Sequence, residues 1–252
     1  MNRSTSLTDA LGVSPRSIVS LVGGGGKTTA LMTLIREARA VGIRALGSTT
    51  TMVGRRVETG MPVVFSRSSR WKDVLSETLS REGRAFLASS RRDDGKLMGV
   101  SEDELRVARD LAGLTVVEAD GARQRPLKVP GSHEPVIPAG VDLVVPVAGL
   151  DALGHTAPRD VVHRPELVPD DLLGDVIGAD FIAALITSDW GGMKGVPDGA
   201  RVRPLLNKLD VADLEEARRA AELTAAAGVP EIDRVVLASL LREDYTYIEP
   251  PG

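Results

Sequence analysis

Val22-Gly23-Gly24-Gly25-Gly26-Lys27-Thr28-Thr29 is the stretch that decides the reading of this chain. The apolar run at residues 18–22 before it reads as a short buried strand. Residues 28–41 after it repeat with helical periodicity: Leu31, Leu34, Ile35 and Ala38 share a face, while Arg36, Glu37 and Arg39 point elsewhere. Gly42 ends that helix. A glycine run between a strand and a helix is what a phosphate loop requires. Glycines let backbone N–H groups converge on oxygens, and the helix N-terminus adds positive potential. In this reading Gly23, Gly24, Gly25, Gly26, Lys27, Thr28 and Thr29 hold the phosphates of GTP or ATP. Lys27 reaches the β- and γ-phosphates, and the Thr28 hydroxyl ligates Mg²⁺. The usual pattern G-x-x-x-x-G-K-[ST] places its first glycine at position 21, where this chain has Leu21, so the loop entry differs. A plain glycine turn is the bland alternative, and the Lys-Thr pair and helix following in order argue against it.

Outward from the loop, strand-like and helix-like segments alternate. Residues 43–47, 62–65, 84–88, 114–117, 142–147, 201–206 and 234–237 read as strands, and residues 71–79, 105–111, 177–187 and 211–227 as helices. Ser101-Glu102-Asp103-Glu104 is a capping box in front of the third helix of the chain. Residues 121–140 are too rich in Pro and Gly for regular structure and read as a functional loop, and residues 190–200 as a Gly-rich loop. This alternation predicts an α/β, P-loop NTPase-like three-layer fold, its mostly parallel sheet covered by helices on both faces, in a single domain over 1–252.

The bulk composition agrees and narrows the function classes. Hydrophobic residues make up 42% and charged residues 26%, enough to bury a substantial core. Aromatics are only 3%, and the Val-, Leu- and Ala-rich remainder suits helices on buried parallel strands. A net charge of −4 without a basic block argues against a nucleic-acid partner, and few aromatics remain to stack bases. The absence of cysteine excludes disulfides, thiolate metal sites and any chalcogen carried as a Cys adduct. His133, His155 and His163 are dispersed without zinc-ligand spacing. No apolar run approaches a membrane span and residues 1–16 lack a signal-type core, so a cytoplasmic protein with no membrane partner is expected.

Three further segments carry chemistry. Asn207-Lys208-Leu209-Asp210 follows an apolar strand and precedes a helix, the position of the guanine-reading N-K-x-D loop. A carboxylate only accepts, and guanine offers two adjacent donors where adenine offers an acceptor, so Asp210 selects guanine while the Lys208 stem covers the base and Asn207 ties the loop. The alternative is a solvated turn with Asp210 near a helix cap. Ala238-Ser239-Leu240 faintly resembles the backbone loop that touches the guanine oxygen. Glu118-Ala119-Asp120-Gly121 ends a Val-rich strand, where an acid holds Mg²⁺ or orients water. Glu118 and Asp120 are thus candidates, with Thr28, for the metal and, with Lys27, for catalysis; the residue pattern does not choose between the two acids. Arg123, Arg125, Lys128 and His133 crowd the loop after Asp120, beside Glu134, and read either as a site for an anionic substrate or as a solvated basic loop. Lys194 is a weaker candidate of the same kind. The hydroxyl run Ser48-Thr49-Thr50-Thr51 either faces the γ-phosphate or forms a turn.

Together these motifs resemble the YqeC family. The resemblance rests on residues 22–29, on Thr49-Thr50-Thr51, and above all on Val117-Glu118-Ala119-Asp120-Gly121-Ala122-Arg123 continuing through Pro126-Leu127-Lys128 to His133-Glu134-Pro135-Val136-Ile137-Pro138. It runs from about residue 17 to residue 240. The resemblance implies an accessory protein for selenium-dependent molybdenum hydroxylases, partnered by such an enzyme or its cofactor-maturation proteins. Three functions follow: an NTP-hydrolysing maturation factor that favours GTP over ATP, a kinase or nucleotidyl transferase acting on a small anionic acceptor, and a nucleotide-sensing module without turnover.

Overall fold

The computed structural model describes residues 1–54, 60–170, 172 and 174–251. In chain order its elements are β1 (Asn2–Ser4), α1 (Leu7–Ala10), β2 (Ile18–Gly23), α2 (Lys27–Ala40), β3 (Ala45–Thr49), β4 (Met52–Val53) and β5 (Val63–Phe65). There follow α3 (Trp71–Glu82), β6 (Arg84–Ala88), β7 (Leu97–Met98), α4 (Glu102–Arg109), β8 (Leu114–Glu118), β9 (Leu127–Lys128) and β10 (Leu143–Gly149). The chain continues with α5 (Pro158–Val161), β11 (Val162–His163), α6 (Ala179–Thr187), β12 (Arg201–Val202), β13 (Leu205–Asn207), α7 (Leu214–Ala225), β14 (Val235–Ser239) and β15 (Asp244–Ile248).

The main sheet runs β1-β15-β14-β13-β10-β2-β8-β3-β6-β5, with β12 beside β10. Every neighbour from β14 to β5 is parallel, and only β15 and β1 run antiparallel at one edge. The fold is therefore the expected P-loop NTPase-like α/β architecture. The central strands β2, β8 and β10 are buried on both sides, which is why they read as Val-rich runs without polar alternation.

Period two sorts their side chains. Val19 and Leu21 of β2 face one layer with α1 and α2, where Leu7, Leu11, Leu31, Leu34 and Ile35 are buried. Ile18 and Val22 face the other layer, packed with Phe181, Ile182, Leu185, Ala217 and Ala221 of α6 and α7. On that second face Leu46, Leu87 and Val117 also meet Trp71, Leu75 and Leu79 of α3. The expected periodic face of α2 is the one that packs.

Several boundaries differ from expectation for identifiable reasons. The strand expected at 201–206 is split into β12 and β13 by Pro204, which has no N–H to give a ladder. Its neighbour Arg203 turns inward onto Asp233 at 2.6 and 2.7 Å. The helix expected from residue 211 starts at Leu214, where Asp213 caps the N–H groups of Glu215 and Glu216. The capping box at Ser101 and Glu104 forms with both reciprocal bonds. β15 follows β14 and lies beyond the expected strands. Among the described residues no helix is long and apolar enough to cross a membrane.

Candidate nucleotide site

The parallel strands all end on one edge of the sheet, and that edge gathers the chemistry. The order in which strands are added reverses about the parallel pair β2 and β10: β3 and β6 lie to one side, β13 and β14 to the other. A crevice at such a switch point, outside the carboxyl ends of the strands, is where open α/β sheets bind ligands. Gly23 ends β2, Glu118 ends β8, Gly149 ends β10, Asn207 ends β13 and Ser239 ends β14.

The glycine loop is packed against its neighbours. A Cβ on Gly25 (φ 77°) would lie 2.2 Å from the Gly149 nitrogen, and one on Gly26 (φ 139°) 2.4 Å from Asn207 Nδ2. The Gly23, Gly24 and Gly25 N–H groups already donate to Asp120 Oδ2 at 3.0 Å, the Val147 carbonyl at 2.9 Å and the Arg125 carbonyl at 3.1 Å. The donors left open are those of the first turn of α2, whose N-cap Gly26 has no side chain to satisfy them. The open N–H groups thus lie at the helix end, Gly26–Thr29, while the preceding glycines are engaged in holding its position.

Lys27 does not point into solvent. Its ammonium folds back onto the Gly23 carbonyl and lies 3.0 Å from Asp120 Oδ1. Asp120 Oδ2 in turn lies 2.9 Å from Lys128 Nζ, which lies 2.9 Å from Glu134 Oε2, and Glu134 also binds the Arg164 guanidinium. Cation and anion thus alternate from Lys27 to Arg164. The Lys128 and Asp120 side chains are 0% and 1% exposed, so this chain of charges is held largely in low dielectric.

Glu118 is also buried, and one carboxyl oxygen, Oε1, has no hydrogen-bond partner. Burial pushes its pKa up, against the opposing pull of Lys27 and a hydrogen bond with Thr28. Thr49 and Thr50 fix the backbone here: the Thr49 hydroxyl and the Thr50 N–H both donate to the Glu118 carbonyl. Ser48 donates to the Leu87 carbonyl and Thr50 to the Val136 carbonyl, so the hydroxyl run ties strand ends together.

No cluster of three or more His, Cys, Asp or Glu side chains suited to a metal occurs among the described residues. Mg²⁺ in phosphate sites takes only one or two protein ligands beside phosphate and water oxygens. The Thr28 hydroxyl and the unpartnered Glu118 oxygen are donors of that kind. Asp120 is committed to two ammonium groups and an N–H.

On the other side, Asn207 bridges two loops: its Nδ2 donates to the Gly25 carbonyl at 2.8 Å, and its Oδ1 accepts from the Leu240 N–H at 3.1 Å. Asp210 accepts from the Ser239 hydroxyl at 2.7 Å, and Arg242 lies 3.3 Å from its second oxygen. The Ser239 bond holds the Asp210 carboxyl below its usual range, so it remains an acceptor. Lys208, in left-handed backbone at φ 70°, reaches Asp151 Oδ2 at 2.5 Å.

These contacts place the 118–138 block against the glycine loop. A family model described as YqeC protein matches residues 19–166. The chain belongs to the YqeC family. A curated relative, "Uncharacterized protein YqeC" of Escherichia coli (strain K12), is 33% identical over 201 residues, covering 76% of either chain. Among solved structures, FtsY of Mycoplasma mycoides is 13% identical with a TM-score of 0.40, covering 92% of this chain and 63% of that one. The signal recognition particle receptor FtsY of Elizabethkingia anophelis is 12% identical with a TM-score of 0.40, covering 94% and 64%. This chain therefore spans less than two thirds of either FtsY structure.

In this YqeC-family protein the cations of the 121–140 loop divide by role. Arg125 donates to the carbonyls of Arg159 and Val162, and Lys128 is enclosed between two carboxylates. Arg123 and His133 are exposed. Lys194 donates to the Gly131 carbonyl at 2.7 Å. Asp151, His163 and Arg164 join the site without a signal in the motif reading. A Gly-x-Asp at the end of a buried strand was the available cue for Asp151, whereas His163 and Arg164 arrive only through the pairing of β11 with β9.

Glu134 supplies a pH prediction. Burial opposes its ionisation, yet hydrogen bonds from Lys128 and Arg164 and the Lys128 charge outweigh that and hold its pKa down to about 2. A depressed folded-state pKa contributes stability above the ordinary value of 4.5 that is lost as pH falls towards 2. Acid titration of unfolding free energy is expected to fall more steeply for wild type than for Glu134→Gln in that window. Parallel curves would remove Glu134 from the network's energetics.

Proposed function

We propose that this protein is a Mg²⁺-dependent P-loop nucleoside triphosphatase that favours GTP over ATP. We further propose that it couples nucleotide turnover to the maturation of a selenium-dependent molybdenum hydroxylase. The observation that carries the nucleotide reading is Asn207, which joins the phosphate loop at Gly25 to the Ser239–Leu240 turn and so sets Asp210 beside the helix N-terminus. The proposed ligand has an anionic end for the helix terminus and a two-donor base for Asp210.

In this reading the open N–H groups of Gly26, Lys27, Thr28 and Thr29 take phosphate oxygens. Lys27 leaves Asp120 for the β- and γ-phosphates, and Thr28 and Glu118 would hold Mg²⁺. When bound, the metal would supply neutralisation of phosphate charge. The departure of Lys27 frees Asp120 Oδ1, which then orients the attacking water and accepts its proton. The water oxygen bonds to the γ-phosphorus, and the bond to the β,γ-bridging oxygen breaks with its electron pair on the diphosphate.

The client is supported by the family resemblance of residues 117–138. Without cysteine the chain takes the energy-coupling part and does not carry the chalcogen as a Cys adduct. The test is Asp210→Ala. Its GTP-over-ATP preference is expected to fall by at least about tenfold, the scale of a lost charged hydrogen bond. An unchanged preference removes the guanine reading.

A second reading, transfer to an anionic acceptor, is favoured by the cations beside the phosphate loop. Phosphate release without an acceptor supports hydrolysis, and acceptor-dependent diphosphate formation supports transfer. Tight binding with neither product supports a sensing module.

A further inference from the structure

The two-stranded sheet beside the phosphate loop gathers cations that nucleotide binding does not use. β9 and β11 pair in parallel with Lys128 opposite His163, so both side chains lie on one face. Arg164 follows in left-handed backbone at φ 63°, its guanidinium against Gly131 and on Glu134. Arg123 and Gln124 are also left-handed, at φ 48° and 63°, in a turn closed by the Arg125 N–H on the Ala122 carbonyl.

Six non-glycine residues have positive φ among the described residues, and three of them are here. Left-handed backbone is strained for such residues, and strain of this kind concentrates at functional sites. Arg123 is exposed, and neither it nor the His163 ring has a hydrogen bond or ion pair among the described residues. Arg164, Lys128 and Arg123 all lower the His163 pKa, after burial, and Glu134 alone opposes them. Burial and the neighbouring cations therefore disfavour the charged imidazolium, as a positive potential does.

We infer that Arg123, His163 and the outer edge of Arg164 form a second anion site, separate from the phosphate loop, for a small molecule bearing a phosphate group. Two guanidinium groups offer paired N–H donors matched to phosphate oxygens, and the imidazole adds one more donor. Arg125, bonded to the carbonyls of Arg159 and Val162, fixes the spacing between the Arg123 turn and β11. Glu134 already takes Nη1 of Arg164, which leaves the rest of that guanidinium for a ligand. A molecule held there is the natural acceptor or effector of the nucleotide site. That role rests on the nucleotide reading, whereas phosphate binding at this site does not.

The test uses inorganic phosphate with full-length Lys27→Ala protein, in which the phosphate loop is disabled, and follows the His163 ring resonance by NMR. Phosphate is expected to shift that resonance saturably. Arg123→Ala in the same background is expected to weaken binding by about tenfold, with partial recovery in Arg123→Lys. An unmoved His163 resonance, or equal binding with and without Arg123, overturns the site. Nucleotide affinity of the wild-type and Arg123→Ala proteins, measured separately, tells failure of this inference from failure of the nucleotide reading.

Discussion

Asp120→Ala is expected to destabilise the protein by about 3–5 kcal/mol, the range for removing one partner of a buried ion pair. The reason lies in what stays behind. Lys128 is 0% exposed and would keep only Glu134, and Lys27 would keep only the Gly23 carbonyl. The Gly23 N–H would lose its acceptor as well. In a chain of this length such a loss lowers the melting temperature by about 10 °C. Denaturant unfolding with an unchanged m-value reads the free energy directly. A loss below about 1 kcal/mol would mean that the alternating charges are solvated and do not hold the loop. Lys128→Met in the Asp120→Ala background removes the stranded ammonium and is expected to recover part of the loss.

Gly25→Ala is expected to disable the phosphate loop. Its Cβ would fall 2.2 Å from the Gly149 nitrogen and 2.5 Å from its Cα, both backbone atoms that side-chain motion cannot relieve. Overpacking of this kind costs about 1–3 kcal/mol, and the positive φ adds about 1 kcal/mol. The helix end is displaced with the loop, and nucleotide affinity is expected to drop by at least about a hundredfold, since misplaced donors lose most of their worth. Gly42 is the control. It shares a φ near +79°, yet nothing lies within 4 Å of its added Cβ, so Gly42→Ala carries only the backbone strain. Equal stability losses in the two variants would show that close approach at Gly25 is not what the glycine serves.

Much of this arrangement was legible in the sequence because it is local. The glycine loop between β2 and α2, the periodic face of α2, the capping box at Ser101 and the Val-rich strands each follow from neighbours within a few residues. The P-loop NTPase-like architecture follows from their alternation. What was not legible depends on partners distant in sequence. β15 and β1 close an edge by antiparallel pairing between the two ends of the described chain, which no local pattern encodes. Lys27 reads as a phosphate ligand from its motif, but its folded-back pose depends on Asp120, which only the β2–β8 pairing brings near. Arg125 and Lys128 look alike in a basic loop, yet one anchors carbonyls and the other is enclosed between carboxylates, a difference set by β9 pairing with β11. His163 and Arg164 lie far along the chain from that loop and carried no motif at all.

The proposed nucleotide spans the helix end at Lys27 and the loop at Asp210. Equilibrium binding of GTP and ATP to wild-type and Lys27→Ala protein, each with and without Mg²⁺, tests it most directly. The account predicts Mg²⁺-enhanced binding with GTP preferred in wild type, and loss of both nucleotides in the Lys27→Ala variant. Equal or better ATP binding would contradict the assignment of Asn207, Lys208 and Asp210, and binding of neither nucleotide would contradict the phosphate loop itself.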